Sequence, residues 1–146
     1  MADCDGRVTV AVDSEATISA AAESGIREVL IDVNVGLPRC GCAPGEAGRL
    51  ADLARSRGLV VRGVMGYEGH VVGIADRAER EAKTAKAMER LLSTARMMRA
   101  VGLRCDIVSG GGTGTYDITG AMEGITEIQA GSYVLMDTAY AQLDIP

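Results

Sequence analysis

The sequence predicts an α/β protein built on parallel strands, and three observations support this prediction. Short apolar runs rich in valine and isoleucine alternate with longer stretches whose apolar residues recur every three or four positions, which is typical of strands followed by helices. The core must be aliphatic, because the chain has no Phe or Trp and an aromatic content of only 3%. Most side chains capable of chemistry follow the predicted strands, where parallel sheets collect their ligands.

Five strands and three main helices are predicted in alternation. The strands are expected at residues 7–12, 27–35, 59–65, 105–108 and 126–134. The first helix is capped at Asp13-Ser14 and closed by Gly25, the second begins at Pro44 and is closed by Gly58, and the third covers residues 76–101 before Gly102. These assignments follow known positional preferences: polar capping residues precede helices, proline is favoured in the first turn, and glycine is favoured just after the last turn. The alternation indicates right-handed crossovers between parallel strands.

Length and composition limit the class of protein. The 146 residues suffice for one domain, 1–146, and the net charge of −5 without a basic patch argues against a nucleic-acid partner. No apolar run is long enough to span a membrane and the N-terminal residues do not resemble a signal peptide, so a cytoplasmic protein without membrane contact is expected. Four cysteines fit neither a dense disulfide framework nor paired zinc motifs, which predicts reduced thiols and no metal ligand.

The glycine-rich stretch at residues 109–116, SGGGTGTY, directly follows the fourth predicted strand. Bare backbone amides after a buried strand can approach an anion closely, and a phosphate is the natural guest. The stretch has neither the lysine of a P-loop nor the spacing of a dinucleotide-binding motif. A flexible turn rich in Gly, Ser and Thr is the alternative.

Single residues at other strand exits suggest further chemistry. His70 is the only histidine and could be a general base, a metal ligand or a solvated surface residue. Arg39 could bind a carboxylate, a phosphate or an aromatic nitrogen, or could be solvated. Tyr67 and Tyr133 could line a pocket or cover the rim of the sheet. The carboxylates of Glu68 and Asp137 are expected to be solvated and receive no role.

Four motifs, in this order and spacing, resemble the D-threonine aldolase and D-serine dehydratase family. They are VGLPRCG at 35–41, GVMGYEGH at 63–70, VSGGGTGTY at 108–116 and TEIQAGSYVLMD at 126–137. This family belongs to the alanine racemase-like, fold type III enzymes that use pyridoxal 5'-phosphate (PLP). The resemblance implies a (β/α)8 TIM-type barrel with PLP at the carboxyl ends of its strands, present here as a partial barrel.

The resemblance also implies roles for individual residues. Arg39 would lie against the cofactor ring, and Tyr67 would also bind the cofactor. His70 would be the catalytic base facing the substrate hydroxyl near a divalent metal (Mn, Mg or Zn). The cofactor phosphate would be held by Ser109, Gly110, Gly111, Gly112 and Thr113, with Gly131, Ser132 and Tyr133 beside them. The implied reaction of this PLP-dependent lyase is retro-aldol cleavage of a small D-3-hydroxy amino acid to glycine and an aldehyde.

The sequence departs from the family pattern in its length and in two groups of residues. A complete (β/α)8 barrel needs about 250 residues, and the five predicted strands resemble the fourth to the eighth of the family barrel. The lysine that binds the cofactor has no counterpart, because Lys83 and Lys86 lie within a predicted helix. The ligands that hold the family's metal also have no counterpart. This stretch by itself is therefore expected to be an inactive fragment, with open barrel edges that could pair in a homo-oligomer.

Three functions remain open at this point. The first is a D-threonine aldolase-like lyase, and the second is a D-serine dehydratase-like lyase that removes the β-hydroxyl instead of cleaving the carbon chain. The third is a non-catalytic module that binds a phosphate-bearing ligand or serves assembly.

Overall fold

Short apolar runs form five parallel strands in the computed structural model, which describes residues 6–135 and 138–146. The strands are β1 (Thr9–Val12), β2 (Glu28–Asp32), β3 (Val60–Met65), β4 (Ile107–Gly110) and β5 (Glu127–Ile128). They lie in the order β1-β2-β3-β4-β5, and every neighbouring pair is parallel. Each crossover therefore advances by one strand in the same direction, as in a barrel segment and unlike a doubly wound sheet.

Four α-helices connect the strands. They are α1 (Glu15–Glu23), α2 (Ala47–Ser56), α3 (Arg77–Ala100) and the short α4 (Tyr116–Gly120). The Ser14 side chain caps α1 in a reciprocal arrangement with Thr17, and the Asp76 carboxylate accepts the Glu79 amide of α3 at 2.7 Å. Glycines with positive φ follow the first three helices, as the sequence predicts. The predicted α/β class with five parallel strands and three main helices is confirmed.

The core lies between one face of the sheet and the helices. Its strand residues include Val12, Val29, Ile31, Val61, Val64 and Val108, and its helix residues include Ile18, Leu50, Ala54, Met88, Leu91, Ala95 and Met98. A polar network joins β2 to its neighbours elsewhere in the sheet, where the Glu28 carboxylate accepts hydrogen bonds from Arg7, Thr9 and Arg62. No helix within the described ranges is both long enough and apolar enough to cross a membrane.

Three strand predictions are wrong in their bounds. The second strand was expected at residues 27–35, but β2 ends at Asp32, because the chain beyond it pairs with Cys42 of its own exit loop. The fifth strand was expected at residues 126–134, but β5 has only two residues, and Ser132–Val134 forms a 3₁₀ turn. The ladder ends because the Gln129 amide is shared between the carbonyls of Gly110 and Gly111, at 3.0 Å each, after which the chain turns away.

The fourth strand was expected at residues 105–108, but β4 is shifted by two residues toward the C-terminus. The Arg99 side chain donates two hydrogen bonds to the Cys105 carbonyl, at 2.6 and 3.1 Å, which holds Cys105 in the approach to the strand. Pairing with β5 instead extends β4 to Ser109 and Gly110. The first glycine of the loop is therefore part of the sheet.

Candidate functional site

The loops that leave the strands meet at one edge of the sheet, because all five strands run in the same direction. The loop after β3 is joined to β4 by the Gly66 amide, which donates to the Ser109 carbonyl at 3.0 Å. The loop after β4 is joined to the turn after β5 by the Tyr133 amide, which donates to the Thr113 hydroxyl at 3.1 Å. These hydrogen bonds therefore link three of the four motifs singled out in the sequence.

The glycine loop after β4 is organised by hydrogen bonds within the protein. The Gly111 amide donates to the Glu68 carboxylate at 3.2 Å, and the Gly112 amide donates to the Thr115 hydroxyl at 3.0 Å. Gly111 has a φ of +82°, which other residues rarely adopt. Two of the amides that the sequence suggested for an anion are thus already occupied by side chains.

Close packing explains the absence of side chains in this loop. A Cβ at Gly112 would lie 2.9 Å from the Val72 side chain and 3.0 Å from the Tyr67 ring, and one at Gly110 would lie 2.9 Å from the Met88 sulfur. These distances are shorter than van der Waals contact. The glycines therefore let Tyr67 and the loop approach each other, which the flexible-turn alternative does not require.

Glu68 is a buried residue that sequence reasoning missed. Its side chain is fully buried, and its carboxylate accepts the Thr115 hydroxyl at 2.5 Å and the Thr119 hydroxyl at 3.4 Å in addition to the Gly111 amide. The expectation of a solvated carboxylate is therefore wrong for Glu68. The sequence feature that could have indicated this burial is the position of Glu68 between two glycines in GYEGH, since such a segment can bring a side chain under a neighbouring loop. Asp137 lies outside the described residues.

Arg39 and Tyr67 lie together at the exits of β2 and β3. The Arg39 guanidinium carbon lies 5.7 Å from the centre of the Tyr67 ring, a cation–π arrangement. Both residues line a cavity of about 10 Å³, the volume that one water needs, together with Asp32 and Cys40. Burial raises the pKa of the Asp32 carboxyl, whereas a hydrogen bond with Cys40 opposes the rise. The pair presents a fixed cation and a phenol at the edge of the sheet.

The turn after β5 provides exposed polar groups next to buried Thr113. The Thr113 hydroxyl accepts the Tyr133 amide, and a hydroxyl that accepts one hydrogen bond can also donate its own hydrogen. Ser132 and Tyr133 are exposed, and the space beside Gly131 is open. Ser109 differs from these residues, because its hydroxyl donates to the Glu127 carboxylate at 2.6 Å.

His70 is exposed and lines a different pocket from Arg39 and Tyr67. This second pocket has a volume of about 300 Å³ and also includes Gly36 and three cationic side chains of α3. Val35 lines both spaces, so the two are neighbours at the same edge of the sheet. The structure thus joins Arg39 to Tyr67, and Thr113 to Tyr133, but it does not bring His70 into the Arg39–Tyr67 cavity.

The last described segment covers the outer side of the glycine loop. A Cβ at Gly114 would lie 3.2 Å from the Leu143 side chain, and the buried Arg80 guanidinium donates to the carbonyls of Ile74 and Asp144. Within residues 6–135 and 138–146, no three His, Cys, Asp or Glu side chains converge in the way that a metal site requires. The described cysteines form no disulfide, and burial raises the pKa of the Cys42 thiol to about 11.

Comparison with known proteins places this arrangement in a family. Residues 1–139 match the family model of the alanine racemase N-terminal domain. The chain belongs to this family. A solved D-threonine aldolase from Filomicrobium marinum superimposes with a TM-score of 0.89 at 34% identity, over 97% of this chain and 40% of that structure. The partial barrel expected from the sequence is therefore confirmed as an alanine racemase-like fold.

Two relatives that are similar to most of this chain are named as lyases. A D-threonine aldolase from an Arthrobacter species is 33% identical over an alignment of 142 positions, and the alignment covers 92% of this chain. A D-threo-3-hydroxyaspartate dehydratase from Delftia sp. (strain HT23) is 27% identical over an alignment of 150 positions, which covers 97% of this chain. The chain spans only 37% and 39% of the lengths of these two relatives.

Proposed function

We propose that this chain forms part of the PLP site of a lyase that cleaves D-3-hydroxy amino acids to glycine and an aldehyde. One observation carries the proposal: the Tyr133 amide bonds to the Thr113 hydroxyl, which joins the glycine loop to the turn after β5. The glycine loop approaches the Tyr67 ring at Gly112, and the Arg39 guanidinium lies over the same ring, so the loop, the phenol and the cation adjoin one another. The similarity to D-threonine aldolases supports the same reaction class.

The residues present fit the phosphate and the ring of PLP. Thr113 and Ser132 would donate hydroxyl hydrogens to the phosphate, and the open space at Gly131 leaves room for it. Arg39 would meet the pyridine ring, held in place by its contact with Tyr67. Gly110, Gly111 and Gly112 would act by keeping the loop close to Tyr67, and Ser109 by linking β4 to Glu127. Bound PLP would supply a sink for the electron pair released at the substrate's Cα.

His70 is proposed as the base that accepts the proton of the substrate's β-hydroxyl. A neutral imidazole can accept this proton at neutral pH. Val35 lines both the His70 pocket and the Arg39–Tyr67 cavity, so a substrate reaching from one to the other would pass this residue. In a complete enzyme that contains this stretch, replacement of His70 by Gln should therefore lower the rate of aldehyde release without weakening PLP binding.

Binding of PLP to the chain tests the proposal directly. Induced circular dichroism in the absorption band of the cofactor should show saturable binding. Thr113→Val and Arg39→Gln should each weaken it by about tenfold, the usual effect of losing a hydrogen bond to a charged group. Thr94→Val, which alters a buried threonine of α3, and Arg55→Gln, which alters an exposed arginine of α2, are the matched controls. Equal weakening by test and control variants, or no saturable binding, would contradict the proposal.

Product analysis separates the aldolase from a dehydratase, which the similarity to the Delftia enzyme makes the second candidate. In a complete enzyme that contains this stretch, supplied with PLP and Mn²⁺, D-threonine should give glycine and acetaldehyde if the carbon chain is cleaved. Loss of the β-hydroxyl would instead give ammonia and a 2-oxo acid. Formation of the second pair alone would replace the aldolase proposal by the dehydratase, and PLP binding without either pair would favour a non-catalytic module.

A further inference from the structure

We propose that the pocket between the exit of β2 and helix α3 binds a small oxyanion with two negative charges, either a phosphate group or a dicarboxylate. The pocket is lined by Val35, Gly36, His70, Lys83, Lys86, Ala87 and Arg90 and has a volume of about 300 Å³. Ligand pockets for small molecules begin at about this size. His70, the proposed base, lines this pocket, but anion binding here does not require PLP, since only Val35 is shared with the Arg39–Tyr67 cavity.

The cationic groups come from one face of α3. Lys83, Lys86 and Arg90 are three, four and seven residues apart, so they form a stripe along the helix. Ala87 lies between them and is buried, and together with Val35 it gives the pocket an apolar floor. Charged groups on an apolar floor interact with an anion more strongly than the same groups surrounded by water.

The positive charge in this pocket is largely uncompensated. No acidic residue lines the pocket, and the nearest ion pair joins Lys83 to Glu79 at 2.6 Å, with both side chains about half exposed. Among the residues that the structure describes, Lys86 and Arg90 form no ion pair. In a chain of net charge −5, this crowding of cations is a local exception. A dianion would relieve the mutual repulsion of the cations, whereas a monoanion would do so only in part.

Gly36 allows the opposite wall of the pocket to form. A Cβ at this position would lie 2.8 Å from the His70 ring and 3.6 Å from an Arg90 guanidinium nitrogen. Its φ of +135° favours glycine, and its amide is fixed by a 2.9 Å hydrogen bond to the Asn34 side chain. The glycine thus lets the imidazole and the guanidinium approach the same point of the backbone, where two kinds of N–H donor can meet one oxyanion.

The NMR signal of His70 provides a direct measurement, because the chain has no other histidine. The imidazole resonance is followed at constant pH and ionic strength while inorganic phosphate, succinate or acetate is added. At least one dianion should produce a saturable shift with a Kd of about 1 mM or tighter, and acetate should bind at least about tenfold more weakly. Comparison of the two Kd values shows whether the pocket prefers a phosphate group or a dicarboxylate. A shift that is equal for acetate, or absent with both dianions, would overturn the proposal.

Three variants locate the binding. The double variant Lys86→Gln/Arg90→Gln should weaken the dianion by more than about tenfold; both side chains are exposed, so the fold should persist. Arg96→Gln removes an exposed charge from the same helix outside the pocket and should retain binding. Thr113→Val should also retain it, which separates this pocket from the phosphate donors of the proposed PLP site. Loss of binding in Arg96→Gln to the same degree as in the double variant would show general charge attraction and would overturn the proposal.

Discussion

Glu68 connects three segments through a single buried carboxylate. It accepts hydrogen bonds from the Gly111 amide and from the hydroxyls of Thr115 and Thr119. In Glu68→Gln, the amide nitrogen of the new side chain would face one of these donors and leave it unsatisfied. An unsatisfied buried donor costs about 1–3 kcal/mol. We therefore expect a decrease of about 2 kcal/mol in the free energy of unfolding, measured by urea denaturation.

A matched change at an exposed carboxylate provides the control for Glu68. Glu79→Gln breaks the surface pair with Lys83, in which both side chains are about half exposed, and should change stability by less than about 1 kcal/mol. The Gly111 amide resonance should move in Glu68→Gln but not in Glu79→Gln. Equal stability of the two variants would show that the Glu68 carboxylate does not organise the glycine loop.

The first three strands are linked by an electrostatic contact at Glu28. Hydrogen bonds from Arg7, then Arg62 and Thr9, lower the pKa of the Glu28 carboxyl from its ordinary value of 4.5 to about 2. A lowered pKa means that the charged form is favoured in the folded state. The resulting stabilisation is therefore complete above about pH 4.5 and is lost as the pH falls through about 2.

This linkage predicts how a Glu28→Gln variant responds to acid. Its Tm should be lower than that of the unaltered protein at pH 7, and the difference should shrink as the pH decreases from about 4.5 and vanish near pH 2. Asp52→Asn, at an exposed pair of α2, should lower the Tm at pH 7 by less than Glu28→Gln does. A Tm difference for Glu28→Gln that is constant between pH 2 and pH 7 would contradict the assignment.

At the scale of the whole molecule, the sequence predicts those features of the fold that local residue patterns determine. Each strand or helix is predicted from a pattern that spans only a few residues, with a cap such as Ser14 before a helix and a glycine such as Gly25 after it. The parallel arrangement of the strands follows from the alternation of these elements. The motif resemblance identified the family and led to the contact between the loops at Thr113 and Tyr133. The burial of Glu68 and Arg80 was not predictable in this way, because their partners Gly111 and Asp144 are 43 and 64 residues distant.

Arg80 carries the last prediction, because it fixes the final described segment to the rest of the molecule. Its fully buried guanidinium donates to the carbonyls of Ile74 and Asp144. Arg80→Met keeps much of the volume but leaves both carbonyls without this donor. We expect a loss of about 2 kcal/mol or more in the free energy of unfolding, and faster amide hydrogen exchange in the glycine loop that Leu143 covers.

The exposed Arg96 of the same helix is the matched control for Arg80. Arg96→Met removes a cation that forms a 2.5 Å surface pair with Glu89, and it should change stability by less than about 1 kcal/mol. Exchange at residues 112–115 should therefore accelerate only in Arg80→Met, because only that variant removes a buried donor that ties residue 144 to α3. If exchange at these residues were the same in both variants, the glycine loop would be held by Glu68 and its partners alone, without help from the segment that covers it.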